Sequence, residues 1–481
     1  MTRLATRVVV VGLVVACASC GGDGGGDTGG GDASGGVGGG DVGADVGEVG
    51  GDDTSAPSLT LVTAEQTALP GESVVFEVEG VPAGEEATWS IASATVAGLD
   101  CGGAVEWTTS EGRLEIVAPR RFEEARCADA LEVTARVQGA EAVGALRFEL
   151  SPGWGQRWEP VEGWDNPVVP LPACPTWNCL GNNDPTLARG DDGRLVVWFA
   201  AGGDRGEHPV VGRAVETDGV FALDPEEPIM EPTGEPQEAR PWDDIRETVS
   251  VYRAPGDDRW TMTYLGYATD YFTDPSIGLV RSDDAEGRSF PRAEAPIYTP
   301  TRPGGWDESF ITSPNALMGP DGVMRIYFTG ASVNALGGKI GLLTSADGGD
   351  TWTPHPDNPV FEGRLGEWDE SVLDSYVVFY GGRYVMWYTA FPEPLTANSM
   401  IALGMATSED GVTWERVTEA PILAPGPSGS WYDLQIAAGE VLVEEDGSLL
   451  MTVYGVPMEG PLPDFPDFRP ERIGLFRAPA D

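Results

Sequence analysis

The chain has 481 residues, of which 77 are acidic and 29 are basic, giving a formal net charge of −48 at pH 7. Nucleic acids and anionic lipid surfaces are therefore poor partners, because affinity for them comes largely from Lys and Arg side chains that neutralise phosphates. The two histidines and six cysteines form no cluster with zinc spacing, so no zinc site is expected.

The first predicted element is an export signal over residues 1–20. Arg3 and Arg7 precede a short, mostly apolar segment that ends at Cys17. A transmembrane helix needs about 20 apolar residues, so this segment is too short to span a bilayer and resembles a bacterial lipoprotein signal with Cys17 as the acylated residue. The alternative is an ordinary cleaved signal in which Cys17 and Cys20 are incidental. The lipoprotein interpretation predicts a protein of the bacterial cell envelope that contacts the membrane only through its acylated end.

Residues 21–56 are predicted to be a tether. The stretch 21–53 is nearly all Gly and Asp and holds eight acids without a single Lys or Arg. Such a composition cannot form a core. A glycine-rich coil of this length has an end-to-end distance of roughly 30–35 Å, which would lift a folded part off a membrane surface.

Residues 57–150 read as a small β-sandwich of short alternating strands, among them 73–79, 113–117 and 131–137. The order of turns and strands is similar to bacterial immunoglobulin-like modules, which are usually spacers. Cys101 and Cys127 fall in this segment, while Cys174 and Cys179 lie further on. An even number of cysteines in an exported chain predicts the disulfides Cys101–Cys127 and Cys174–Cys179.

The rest of the chain contains a fivefold internal repeat. Its first mark is a tryptophan, in most repeats followed by acids, at intervals of 62 to 65 residues: Trp177, Trp242, Trp306, Trp368 and Trp431. Each is followed by a turn, an apolar strand rich in aromatic residues and a further strand. Four strands in each radially repeated unit are typical of a propeller blade.

The ends of the repeat predict how the ring closes. The fifth repeat shows no outer strand after 473–476, whereas the segment from Trp158 to Val168, before the first repeat, has the sequence of one. Residues 151–481 are therefore expected to form a monomeric five-bladed β-propeller without a free edge, and a linear array with two free edges is the alternative. The predicted fold class is all-β.

At these repeats the sequence resembles the superfamily of five-bladed glycosidases that contains the arabinanases and β-xylosidases of family 43 and the invertases of family 32. In that superfamily one carboxylate begins the inner strand of blade one as Asp-Pro, a second has the same place in blade three, and the proton donor precedes the inner strand of blade four. Asp184, followed by Pro185, matches the first position. The resemblance therefore implies that Asp184 is the base or nucleophile of glycoside hydrolysis; the alternative is a turn-capping role.

The other two positions depart from the family pattern. Counting seven residues from the repeat tryptophans gives Ser313 in blade three, where the family has Asp, and Ser375 in blade four, directly after Asp374. Asp374 is therefore the candidate acid in place of Glu, with Glu308 as the alternative. Further candidates for substrate binding lie in the tryptophan loops or on and beside the inner strands: Trp306, Trp368, Trp431, Asp243, Glu247, Asp307, Ser313, Asp369, Glu370 and Asp433. Because acids follow several of the repeat tryptophans, loop capping is the alternative for them, and core packing is the alternative for the tryptophans.

A second resemblance concerns turns between strands. Ser345-Ala-Asp347-Gly-Gly-Asp-Thr-Trp352 fits the Asp-box turn of sialidases, and 408–414 is a shorter form. Sialidases also need three arginines that hold a carboxylate, and Arg189 and Arg246 are the nearest to the inner strands. A sialidase is accordingly a minor alternative.

The expected function is that of a surface-anchored, glycoside hydrolase-like protein that acts on or binds oligosaccharide or polysaccharide in the central cavity. The alternative is a catalytically inactive propeller that binds glycans or proteins on the same face. Carbohydrate is the expected partner. No cofactor is expected, although a structural calcium ion in the propeller channel would be compatible with this fold.

Overall fold

A computed structural model describes residues 58–69, 71–93, 105–109, 112–117, 130–173, 176–202, 209–236, 239–253, 257–268, 274–300, 304–332, 335–394, 399–444, 446–460 and 469–480. The predicted signal with Cys17, the predicted tether and the cysteines Cys101 and Cys127 lie outside these residues. All named elements of the described chain are β-strands. No helix in the described part is long and apolar enough to cross a membrane.

Residues 60–148 form two packed sheets. Their strands are β1 Thr60–Leu61, β2 Glu65–Ala68, β3 Ser73–Glu79, β4 Ala87–Ser93, β5 Val105–Thr109, β6 Arg113–Val117, β7 Ala130–Val137 and β8 Ala140–Phe148. One sheet has the order β1-β3-β6 and the other β2-β8-β7-β4-β5. Strand β3 buries Val74, Phe76 and Val78, while Val75 is partly buried and Glu77 is exposed, the period of two that a half-buried strand shows. The two buried faces meet at Phe76 and Trp89.

Residues 181–478 form five further sheets, numbered here in chain order. Sheet 1 contains β10 Gly181–Arg189, β11 Leu195–Gly202, β12 Val210–Thr217 and β13 Val220–Leu223. Sheet 2 contains β14 Ile245–Tyr252, β15 Thr261–Tyr267 and β16 Ser276–Arg281. Sheet 3 contains β17 Phe310–Met318, β18 Met324–Ser332, β19 Ala335–Ser345, β20 Thr353–Pro354 and β21 Phe361–Glu362. Sheet 4 contains β22 Ser371–Tyr380, β23 Arg383–Phe391, β24 Ala402–Ser408 and β25 Glu415–Arg416. Sheet 5 contains β26 Gln435–Val443, β27 Leu449–Val456 and β28 Arg472–Ala478.

The first strands of these sheets form a closed ring. Strand β10 contacts β14, β14 contacts β17, β17 contacts β22, β22 contacts β26, and β26 contacts β10. The second strand of each sheet is apolar along most of its length, and β15 and β27 are buried at every residue. Continuous burial is expected of strands covered on both faces by neighbouring sheets. We call β10, β14, β17, β22 and β26 the inner strands.

The segment before the first sheet closes the ring. Strand β9, Glu159–Pro160, pairs with β28, and the order of sheet 5 is β26-β27-β28-β9. The pairing continues where the Val161 and Val168 N–H groups donate to carbonyls of β28. Trp154 stacks on Tyr380 at a ring distance of 4.5 Å. The pairing predicted around Trp158 with the last repeat is thus present.

Candidate functional site

Each inner strand contains one residue with left-handed backbone at the same register. The φ angles are 44° at Asp184, 45° at Thr248, 49° at Ser313, 42° at Asp374 and 51° at Ala438. The strand pairing shifts around each of these residues, as in a β-bulge. Non-glycine residues rarely adopt this conformation, and such residues concentrate at functional sites. We call these five positions the axial ring.

The axial ring surrounds a central cavity of about 50 Å³. A cavity of this size holds a few water molecules. Its walls consist of the ring residues and the one or two residues that follow each of them: Asp184, Pro185, Thr248, Val249, Ser250, Ser313, Pro314, Asn315, Asp374, Ser375, Tyr376, Ala438, Gly439 and Glu440. Asp184, Ser313 and Asp374, three sequence-predicted residues, are therefore brought together.

The structure corrects the position that counting from the repeat tryptophan gave in the fourth sheet. Asp374 lies six residues after Trp368, whereas Asp184 and Ser313 lie seven residues after Trp177 and Trp306. Counting seven residues placed Ser375 at the equivalent position, but the left-handed residue of β22 is Asp374. The loop that precedes β22 is shorter by one residue, so Asp374 itself is the equivalent of Asp184.

Asp374 receives hydrogen bonds from two hydroxyl groups. The Ser313 hydroxyl donates to Asp374 Oδ1 at 2.5 Å, and the Thr389 hydroxyl is a second donor. The Asp374 N–H donates to Thr329 Oγ1 at 3.0 Å. Burial raises the pKa of the Asp374 carboxyl, while the two hydroxyl donors act in the opposite direction.

Asp184 has a different environment. Burial raises the pKa of its carboxyl well above the usual value, and the nearby carboxyl groups of Asp374, Glu471 and Glu247 raise it further. Within the described residues, no hydrogen-bond donor reaches the Asp184 carboxyl group. Burial also raises the pKa of Glu247 to about 7 and that of Glu471 to about 8.

We call Asp184, Glu247, Asp374 and Glu471 the axial acids. None of the four forms an ion pair with a described residue. Glu247 and Glu471 are buried, whereas Asp184 and Asp374 are partly buried. Neighbouring carboxyl groups without a cation disfavour one another's ionisation. The arrangement therefore retains protons near neutral pH, as general acid catalysis requires.

Glu440 lines the cavity, and its carboxylate also forms hydrogen bonds to residues of neighbouring sheets. Its carboxylate accepts from the Leu187 N–H at 3.0 Å and from the Ser250 hydroxyl at 3.2 Å. The Asn315 amide donates to Ser250 in turn at 3.1 Å. Burial raises the pKa of Glu440 to about 8. These bonds join sheets 5, 1, 2 and 3 at the axis, so the principal role of Glu440 is to hold the ring together.

The aspartates that directly follow three of the repeat tryptophans are buried and paired. Asp243 and Asp307 accept from the Tyr264 and Tyr298 hydroxyls at 2.8 and 2.5 Å. Asp369 is completely buried and accepts from the Arg364 and Arg416 Nε atoms at 2.9 and 2.6 Å.

Asp243 has a cationic neighbour as well, because Arg292 lies 3.3 Å from its carboxylate. The structure thus places Asp243, Asp307 and Asp369 inside the loops, away from the cavity walls.

The acids two residues after the tryptophans cap the same loops. Glu308, Glu370 and Asp433 each accept a hydrogen bond from the backbone N–H of a glycine four residues earlier, at 2.6, 3.1 and 2.7 Å. Glu308 also accepts from the Ser332 hydroxyl at 2.9 Å. Among the described residues none of these three carboxylates lines the cavity. Glu308, the alternative acid, is therefore separate from Asp184 and Asp374.

The repeat tryptophans pack within the sheets. Trp368 stacks on Tyr388 at a ring distance of 6.4 Å, and Trp306 packs on Phe328. A Cβ atom on Gly330 would lie 2.5 Å from the Trp306 ring, so a glycine is required there. Neither tryptophan, nor Trp431, is among the described residues that form the cavity walls.

The Asp-box segments are self-contained turns. The Asp347 carboxylate accepts from the Thr351 N–H at 3.0 Å and from the Ser345 hydroxyl at 2.7 Å, and the Trp352 indole donates to the Gly349 carbonyl at 3.0 Å. These bonds hold the pKa of Asp347 well below its usual value. The turn contributes no side chain to the cavity walls among the described residues.

Two further observations concern cysteines and metals. Cys179 is disulfide-bonded, and Cys174, the predicted partner, lies outside the described residues. No group of three or more His, Cys, Asp or Glu side chains is arranged to hold a metal ion in the part of the chain that the structure describes.

Sequence reasoning missed several residues of the site. Thr248 and Ala438 complete the axial ring, and the pKa of Glu471 is strongly raised next to Asp184. The spacing from the repeat tryptophan is the signal that could have found two of them, because Thr248 and Ala438 lie six and seven residues after Trp242 and Trp431. Glu471 precedes a third strand, and no pattern in the repeat distinguished it.

Comparisons with known proteins identify the fold. A solved structure of a glycoside hydrolase superposes with a TM-score of 0.50 at 18% sequence identity and covers 63% of this chain and 90% of its own. A protein from Parabacteroides distasonis, provisionally assigned to the glycoside hydrolases, superposes with a TM-score of 0.50 at 17% identity and covers 68% of this chain and 98% of its own. The chain shares the propeller-like all-β fold of glycoside hydrolases.

Sequence comparison adds a local match. A segment of 46 residues is 48% identical to an A type blood N-acetyl-α-D-galactosamine deacetylase from Flavonifractor plautii. The match covers 10% of this chain and spans 6% of the length of the deacetylase. No protein-family model matches the chain.

Proposed function

We propose that the protein hydrolyses glycosidic bonds and that Asp184 and Asp374 are the reacting carboxyl groups. The observation that carries this proposal is their placement at equivalent left-handed positions of sheets 1 and 4, on the walls of one cavity. Glycoside hydrolysis needs one carboxylic acid to protonate the leaving oxygen and one carboxylate to activate water or attack carbon. The shared fold of glycoside hydrolases agrees with this chemistry.

The proposal includes the architecture that positions the pair. The five sheets are the blades of a five-bladed propeller over residues 151–481, and residues 57–150 are an immunoglobulin-like spacer. The closed contact ring of the inner strands and the pairing of β9 with β28 support five blades. The two-sheet core around Trp89 supports the spacer.

The charge of the cavity favours a neutral glycan. Asp184, Asp374 and Glu440 line it, and no described lining residue is basic. A uronate or sialic acid would bring a further negative charge into this region. Arg189 is paired with Glu444 at 2.6 Å and Arg246 contacts the Pro291 carbonyl. The sialidase alternative therefore has no support among the cavity residues.

The size of the cavity favours a second candidate, a glycan-binding module without catalysis. The space beside these carboxyl groups has a volume of about 50 Å³, enough for a few water molecules. A glycan would then bind at the entrance, with the axial acids acting on water or holding polar groups. Protein–glycan binding without turnover is the outcome that this candidate predicts.

The cellular setting is proposed from the sequence. Cys17, at the end of a short apolar segment, would anchor the protein in the bacterial cell envelope, and the Gly/Asp-rich tether would separate the monomeric propeller from the membrane. Labelling of cells with a radioactive fatty acid tests the anchor. Incorporation that is lost in Cys17→Ala supports it, and equal incorporation in the variant contradicts it.

A panel of substrates tests the function. The full chain is incubated with aryl furanosides, aryl pyranosides and neutral oligosaccharides, including N-acetylated ones, and released sugar and released acetate are measured separately. Release of sugar supports the proposed hydrolysis. Release of acetate alone would favour deacetylation, the reaction in the name of the F. plautii protein. Binding of oligosaccharide without either product would select the binding module.

A further inference from the structure

The two carboxyl groups of the cavity differ in their hydrogen bonds. Asp374 accepts from the Ser313 hydroxyl at 2.5 Å and from the Thr389 hydroxyl. The proton of Thr389 is available for this bond because its oxygen accepts the Ala438 N–H at 2.9 Å. Asp184 receives no donor from the described residues. Hydrogen bonds to a carboxylate stabilise the charged form, so this difference favours charge on Asp374.

Ser313 is held in place for this contact. Its left-handed backbone belongs to the axial ring, and its N–H lies 3.3 Å from Thr248 Oγ1. Its hydroxyl has Asp374 Oδ1 as the nearest acceptor, because the Thr312 oxygen lies farther away at 3.4 Å. Ser313 stands where the resembling glycosidases have a carboxylate. A hydroxyl adds no negative charge beside Asp374 and instead supplies a donor.

The surrounding titratable groups act in the same sense. Asp374, Glu471 and Glu247 lie near Asp184 with carboxyl groups, and each of them that is ionised favours the protonated form of Asp184. The phenol of Tyr454 lies near Asp184, Asp374 and Glu471, and its pKa is raised by burial and by these acids, so it remains protonated and neutral. Glu440, on the cavity wall, is held by Leu187 and Ser250.

We propose that Ser313 is a positioning residue that keeps Asp374 ionised, so that Asp374 is the base and Asp184 is the acid. This inference rests on the proposed function and reverses the roles that the family resemblance implies for the two positions. In the reaction, Asp184 gives its proton to the leaving oxygen as the glycosidic C–O bond breaks. Asp374 takes a proton from the water whose oxygen bonds to the anomeric carbon. The proton that Asp374 gains balances the one that Asp184 loses.

The first test measures ionisation without substrate. The full chain is labelled with ¹³C at the aspartate carboxyl carbons and titrated by NMR, and the signals missing in Asp184→Asn and Asp374→Asn assign the two groups. We expect Asp374 to titrate at lower pH than Asp184. In Ser313→Ala, we expect the pKa of Asp374 to rise by about one pH unit, since a hydrogen bond to a charged group is lost.

The chain provides matched controls for these substitutions. Alanine and threonine occupy the equivalent ring positions at Ala438 and Thr248, so both residues are compatible with this backbone. Ser313→Thr keeps a hydroxyl and should restore the titration of Asp374. Ser375→Ala removes a neighbouring buried hydroxyl that lines the cavity but has no hydrogen-bond partner among the described residues, and should leave the titration unchanged. An unchanged pKa of Asp374 in Ser313→Ala, or an Asp374 that titrates above Asp184, would overturn the inference.

The second test uses leaving groups. A variant that lacks its acid retains more activity on activated aryl glycosides, which need little protonation, than on natural linkages. We expect this pattern for Asp184→Asn, and an equal loss on both substrate types for Asp374→Asn. The opposite pattern would contradict the assignment of roles. If the wild type cleaves no glycoside, the proposed function fails, while the NMR titration still decides whether Ser313 controls the ionisation of Asp374.

Discussion

The tryptophan loops and the axial ring both contain aspartates at repeated positions, but their surroundings differ. Asp243, Asp307 and Asp369 recur after the tryptophans, and each is bonded to a tyrosine or an arginine inside its loop. Asp184 and Asp374 occupy two of five equivalent ring positions, the others being Thr, Ser and Ala. We infer that the acids that recur with a bonded partner stabilise the repeat, whereas the acids at only two of the five ring positions mark the proposed site.

The largest expected difference in stability compares Asp369→Ala with Asp374→Ala. The first variant leaves Arg364 and Arg416 without their buried partner, and such losses cost about 3–5 kcal/mol. The second removes one of several mutually repelling carboxyl groups and should change the free energy of unfolding by less than about 1 kcal/mol. Urea unfolding at neutral pH measures both. Equal destabilisation would mean that the axial acids are structural.

The pH dependence of stability should have opposite signs in the two regions. Folding raises the pKa of Glu247 to about 7 and of Glu471 to about 8, from an unfolded value of 4.5. The folded state then binds more protons, so stability from these groups falls as the pH rises from about 5 through 8. Asp433 has a lowered pKa because the Met458 and Gly429 N–H groups bond to it. The stabilisation that ionised Asp433 gives to the folded state is therefore present above about pH 4 and is lost as the pH falls below it.

Urea midpoints from pH 3 to pH 9 measure this dependence. Glu471→Gln should flatten the decline at the alkaline side, and Asp433→Asn should affect only the acid side. An alkaline decline of the same size in Glu471→Gln would show that another group causes it.

The smallest effect is expected at the loop caps. Glu370→Gln and Glu308→Gln keep an oxygen that can accept the Gly366 or Gly304 N–H, so the loss should be about 1 kcal/mol or less. Activity should stay within about twofold of the wild type, because neither side chain reaches the cavity. Loss of activity in Glu308→Gln with an unchanged unfolding curve would restore Glu308 as the candidate acid.

Much of this fold follows from sequence periodicity. The tryptophan interval and the apolar second strands predicted repeated sheets, and the segment at Trp158 predicted the pairing of β9 with β28. The position of Asp184 followed from the Asp-Pro pair. The register of Asp374 could not be predicted by counting from the repeat tryptophan, because the loop before β22 is one residue shorter than the loop before β10. The hydroxyl donors on Asp374 come from Ser313 and Thr389 on two different sheets, and no local pattern reveals such a contact.

The most direct test of the central claim is the hydrolysis rate of Asp184→Asn and Asp374→Asn beside the wild type, on the best unactivated oligosaccharide of the substrate panel. We expect each variant to lose at least about a thousandfold in kcat/KM while its free energy of unfolding in urea stays within about 1 kcal/mol of the wild type. Glu370→Gln serves as the control for a carboxylate outside the cavity. Wild-type rates in either aspartate variant, with the fold intact, would contradict the assignment of the axial carboxyl pair as the reacting groups.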